Sequence, residues 1–172
     1  KVKQPPLYAN IAETNMFVDA TLDADSNLWL STESGILNGL IKFNTKTYEY
    51  NLLETDSIKN GRSISNASRI ICDKQNRIWF RNRGERKTGY LDINTNTEVI
   101  PDENGKPSAE NIGTIWLSSG KNGKILLSTN NGLLIYDANK KDVALHAKLN
   151  AASGLKSDMI EFQSEDCDGN IW

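Results

Sequence analysis

One short string recurs along the chain and limits what it can fold into. It reads D-A-D-S-N-L-W-L from Asp23 to Leu30, D-K-Q-N-R-I-W-F from Asp73 to Phe80, and D-C-D-G-N-I-W from Asp166 to Trp172. A weaker copy, G-K-N-G-K-I-L-L, runs from Gly120 to Leu127. The aligned positions Trp29, Trp79, Leu126 and Trp172 stand 50, 47 and 46 residues apart. A fixed period of that size marks stacked supersecondary units rather than one irregular core.

The flanks of the string repeat as well. S-T-E-S-G-I follows the first copy and S-T-N-N-G-L the third. Each copy then carries a short apolar run ending in an Asn or Asp turn: L-I-K-F-N-T-K-T-Y, Y-L-D-I-N-T-N-T-E and L-L-I-Y-D-A-N-K-K. Further β-rich runs lie upstream, at Met16–Leu22, Ser68–Cys72, Ile112–Leu117 and Met159–Ser164. Each unit therefore reads as four short strands separated by turn residues. No amphipathic helical pattern of ten or more residues competes.

Four strands in 46 to 50 residues is the size of a propeller blade. The expected fold is all-β, with blades at about 15–53, 64–100 and 111–147 and the start of a fourth at 157–172. On this reading residues 1–172 are about three and a half blades of a larger propeller, or an arc that pairs with a second copy through its open blade edges. A blade cannot cover its own faces, so blades bury them against neighbours. Trp29, Trp79 and Trp172 then sit on the second strand of their units, packed between blades. Asp23, Asp73 and Asp166 open the turns before them.

The remaining chemistry is sparse. Lys plus Arg is 20 against 22 for Asp plus Glu, so the net charge of −2 gives no electrostatic footprint for nucleic acid. A single histidine, His146, excludes a multi-histidine metal site. The D-x-D-x-N pattern at Asp23, Asp25 and Asn27 suggests a calcium loop. It lacks the glycine and glutamate that an EF-hand requires, so it reads as a hairpin turn capped by Asp. No metal and no cofactor are expected. Cys72 and Cys167 are read as free thiols rather than a disulfide. No apolar run approaches the length of a membrane helix.

Taken together, D-x-D-G-N-I-W, S-T-x-x-G-L, the aliphatic-Tyr-Asp strand end and the G-L-x-S-D-M-I run at Gly154–Ile160 resemble the two-component regulator propeller repeat. The resemblance runs from Asn15 to Trp172. It implies the periplasmic sensor region of a bacterial hybrid two-component system, with seven-bladed propellers ahead of a membrane helix and a histidine kinase. Membrane attachment and kinase would lie in parts of the parent outside these residues. The resemblance also implies an oligosaccharide ligand. The second unit departs from the pattern, carrying R-N-R-G-E-R-K-T-G in place of S-T-x-x-G-L.

That departure supplies the candidate ligand-binding residues. Arg81, Arg83 and Arg86 form a dense basic cluster on a presumed loop, and guanidinium forks match carboxylate or sulfate. Trp116, in a presumed first strand, offers a stacking surface for a sugar. The chain is expected to be a non-catalytic sensor. One alternative is a lyase-type enzyme resembling streptogramin lyase, but such chemistry needs a histidine near the axis, and His146 falls on an outer strand. A second alternative is a propeller that binds other proteins.

Overall fold

In a computed structural model of the chain, residues 16–34, 39–54, 58, 64–102 and 113–172 are described. Among them lie three four-stranded sheets. The first is β1 (Met16–Leu22), β2 (Asn27–Ser34), β3 (Gly39–Asn44) and β4 (Tyr50–Glu54). The second is β5 (Ala67–Cys72), β6 (Arg77–Asn82), β7 (Thr88–Asp92) and β8 (Thr97–Val99). The third is β9 (Thr114–Ser119), β10 (Lys124–Thr129), β11 (Gly132–Asp137) and β12 (Ala144–Leu149). Each is an antiparallel meander in sequence order. β1 lies beside β5 and β5 beside β9, so the first strands share one edge and the sheets stack face to face like propeller blades. The fold class read from the repeat is the one observed. Residues 35–38, and residues 55–57, 59–63 and 103–112 around the expected blade connections, lie outside the described residues.

The repeated string builds each turn the same way. Asp23 Oδ1 accepts the backbone N–H groups of Asp25 (3.0 Å) and Asn27 (2.8 Å), and Asp23 Oδ2 accepts the Trp29 indole N–H at 2.9 Å. In the second copy Asp73 takes Gln75 and Arg77 N–H at 2.9 and 3.0 Å and the Trp79 indole at 2.8 Å. In the fourth, Asp166 takes Asp168 and Asn170 at 2.9 Å each and Trp172 at 2.8 Å. Three residues after each aspartate the backbone enters the left-handed region, at Ser26 (φ 65°), Asn76 (φ 62°) and Gly169 (φ 90°). One carboxylate thus closes the turn and fixes the tryptophan six residues on. Its oxygens accept protein donors, the geometry of an Asp-capped turn.

The held tryptophans fill the space between sheets. Trp29 packs with Leu40, Ile70, Ile78, Phe80 and Leu91, between the first and second sheets. Trp79 packs with Leu117, Ile125, Leu127 and Tyr136, between the second and third. Both are at most 1% exposed. Trp172 has the same aspartate bond but is 78% exposed. The third unit lacks aspartate and tryptophan together. Gly120 and Leu126 replace them, so no buried indole N–H is left without an acceptor. Glu165 of the fourth unit takes over the turn, accepting the Lys121 N–H at 2.6 Å where a Gly120 Cβ would lie 2.7 Å from its Oε2.

The fourth unit departs from the strand predicted over Met159–Ser164. It is a hairpin held by mutual Ser164–Trp172 backbone bonds and a Glu165–Ile171 bridge. Two paired positions are too few for a ladder.

Two outcomes follow for stability. Asp73→Ala should cost about 3–5 kcal/mol in urea denaturation, because it leaves the buried Arg77 guanidinium without the carboxylate 2.7 Å from its Nε. Asp166→Ala, at an exposed copy of the same turn, should cost clearly less. For Asp23, burial alone would raise the carboxyl pKa. Hydrogen bonds from Trp29 and Asn27, together with Lys42, more than offset this and hold it below the usual value of 3.8. A depressed folded pKa gives stability that is complete above the unfolded value and lost as pH falls through the folded one. The melting temperature should be flat from pH 7 to about 5 and fall below about 4, with a shallower fall in Asp23→Asn.

Candidate functional site

The inner strands carry the most unusual chemistry. Thr21, Ile71 and Ser118 lie opposite Trp29, Trp79 and Leu126, and Ser164 lies opposite Trp172. Two residues before each of them stand Asp19, Arg69, Trp116 and Phe162. These four occupy one phase of the repeat, and each leans on the next. Arg69 Nε is 3.5 Å from Asp19 Oδ2. The Arg69 guanidinium lies 4.5 Å from the Trp116 ring centroid. Trp116 and Phe162 sit with centroids 5.0 Å apart, tilted by 52°. A carboxylate, a guanidinium, an indole and a phenyl ring therefore form a continuous ladder across four units. Phe162 is 58% exposed.

The Asp19 end is fully engaged. Its carboxylate accepts Ala20 N–H at 2.9 Å and Ile70 N–H at 3.0 Å. With Thr21 Oγ1, which accepts Cys72 N–H at 3.0 Å, it ties β5 to β1 by side chains.

Of the predicted basic residues, Arg81 points inward. It stands opposite Arg69 on the neighbouring strand. Its Nε donates to Thr114 O at 3.1 Å and a terminal nitrogen donates to Ser68 Oγ at 3.1 Å. Burial, then Arg86 and Arg83, push its pKa down. Arg83 and Arg86 are exposed on the β6–β7 turn. Arg86 adopts φ 52°, and its carbonyl accepts Thr114 N–H at 2.9 Å. Trp116 is half-buried with its ring against the Arg69 guanidinium. Sequence reading named Arg81 and Trp116 but not Arg69, Phe162 or Asp19, which the structure places beside them. Counting two positions back from the partner of each repeat tryptophan would have found them.

A second feature lies on the first sheet. A polar groove of about 350 Å³ opens among Asn27, Lys42, Asn44, Glu49 and Asn51. In the second unit the positions of Asn27 and Lys42 belong to Arg77 and Tyr90. There Arg77 lies 5.2 Å from the Tyr90 ring and donates to Ala138 O (2.8 Å) and Lys141 O (2.9 Å) of the third unit. Smaller and more flexible residues leave that space open in the first unit.

His146, on outer strand β12, is exposed and lies 3.1 Å from Lys124 Nζ, far in the meander from the inner ladder. Among the described residues no three His, Cys, Asp or Glu side chains are grouped to hold a metal ion, and no helix is long and apolar enough to cross a membrane. Both cysteines are free. Burial, with Asp73 and Asp23, pushes the Cys72 thiol up to about 12, whereas Cys167 is exposed. Iodoacetamide at pH 8 should therefore label Cys167 readily and Cys72 only after unfolding, as mass spectrometry of the peptides would read. Equal labelling of both in the folded protein would contradict this burial.

No protein-family model and no curated protein matches the chain. Among solved structures it is similar to the extracellular domain of the protein described as hybrid two component system BT4673 from B. thetaiotaomicron. That match has TM-score 0.64 and 18% identity, covering 95% of this chain and 23% of the other. The extracellular domain described for hybrid two component system BT3049 of the same organism gives TM-score 0.63 and 17% identity, covering 92% and 22%. The chain spans less than a quarter of the length of either. At this identity the likeness is one of fold.

Proposed function

We propose that the chain is a non-catalytic sensory segment of the extracellular or periplasmic region of a two-component signalling protein. It binds an oligosaccharide or a similar ligand, and the signal passes to a kinase carried elsewhere in the parent. The ligand engages the inner wall where β5 and β9 meet, with Arg81 and Trp116 as contacts and Arg83 and Arg86 on the adjoining turn. The observation that carries the reading is the ladder from Arg69 to Phe162, set on a rigid stack of sheets whose cores are otherwise closed. Loops and edges of such a scaffold are where recognition concentrates. The likeness to extracellular domains of two hybrid two-component systems supports the same reading. Nothing about the position of His146 favours the lyase alternative.

A panel of oligosaccharides tested by thermal melting separates these functions. A ligand at about 100 times its Kd should stabilise the fold by about 2.7 kcal/mol, a rise of roughly 5–10 °C for a domain of this size. No rise with any saccharide, alongside turnover of a lactone antibiotic, would replace the sensor with the enzyme.

A further inference from the structure

We infer that Arg69 and Arg81 form a two-guanidinium clamp for a carboxylate or sulfate carried on a sugar ring, with the ring resting on Trp116 and Phe162. The inference rests on the sensory reading above and names the class of ligand.

The two arginines stand directly opposite each other on adjacent strands. Like charges in that position repel unless something compensates them. The compensation present is partial. Arg69 faces Asp19 at 3.5 Å without hydrogen-bond geometry, while Asp19 already accepts two backbone N–H groups. Arg69 can therefore turn to another anion and leave the Asp19 carboxylate satisfied. Its side chain is 36% exposed, so its terminal nitrogens can be reached. Among the described residues Arg81 has a carbonyl and a hydroxyl as partners and no carboxylate. An anion between the two forks would complete the charge balance and use their planar donors.

Unmet hydrogen-bonding capacity gathers at the same place. Among the described residues three buried side-chain polar atoms have no hydrogen-bond partner: Arg69 Nε, Thr88 Oγ1 and Thr114 Oγ1. All three adjoin Arg81. Arg69 and Thr88 are its partners on the strands to either side, and Thr114 receives its Nε–H. Buried polar groups are rarely left unpaired, and three around one arginine point to a polar guest.

The aromatic pair defines the rest of the ligand. A pyranose ring presents C–H groups on one face, which pack on exposed π surfaces. Phe162 offers such a surface beside Trp116, and Trp116 itself touches Arg69. A ring on this platform places a substituent at the guanidinium.

Calorimetric titration of the whole chain tests the clamp, using digalacturonate, a sulfated disaccharide, neutral galactobiose and sodium sulfate. At least one acidic disaccharide should bind roughly tenfold or more tighter than galactobiose, with affinity falling as salt rises. Arg69→Gln should lose roughly tenfold for the acidic sugar at unchanged melting temperature, and Arg69→Lys should recover only part of it. Phe162→Ala, at an exposed position, should weaken the disaccharide but not inorganic sulfate. Equal binding of galactobiose would overturn the clamp and leave the sensory reading standing. So would an Arg69→Gln variant that binds the acidic sugar normally, or no binding by either acidic disaccharide while the neutral one binds. Failure of every saccharide, here and in the melting panel, removes both readings.

Discussion

The fold depends on one hydrogen-bonded carboxylate used repeatedly. An aspartate at the first position of a turn caps two backbone N–H groups and takes the indole N–H six residues later, in three of four units. That arrangement solves two problems at once. A two-strand turn with a left-handed residue needs its amides capped, and a large aromatic buried between sheets needs its polar edge satisfied. Where burial is complete, as at Trp29 and Trp79, the aspartate is the condition for placing an indole there at all.

Stacking then follows from the alternation of each strand. Ile70, Ile78 and Phe80 turn toward the first sheet, while Ile71, Trp79 and Tyr90 turn toward the third. Polar bridges fix how neighbouring sheets sit. Asp19 and Thr21 accept amides of β5, Gln75 and Arg77 reach carbonyls of the β11–β12 turn, and the Tyr136 hydroxyl donates to Asp102 O at 2.7 Å. Each sheet is thus tied by polar contacts at both its inner edge and its turns, with the apolar layer between them.

The repeat was legible in the sequence because the same residue types recur where the same physical demand recurs. Asp and Trp mark the turn, and β-branched or aliphatic runs mark the strands. The missing pair in the third unit was visible too, as Gly120 and Leu126, although its replacement by Glu165 was not. That contact joins residues from different units and leaves no local pattern. The inner ladder was hidden for the opposite reason. Asp19, Arg69, Trp116 and Phe162 share a structural position but no chemistry, so a search for similarity passes over them. Trp116 stood out as a lone aromatic and Arg81 as part of a charge cluster. Their relation is set by a cross-strand register that spacing alone does not specify.

The third turn has a consequence for how separable these units are. The first and second hairpins each draw the carboxylate that closes the turn from their own aspartate. The third cannot travel alone. Its turn is completed by a side chain from its successor, through Glu165 on Lys121 and Gln163 on Leu126 O. Within a chain of repeated parts, the third and fourth are grafted into one, because a break between them would take away the carboxylate that closes the third turn.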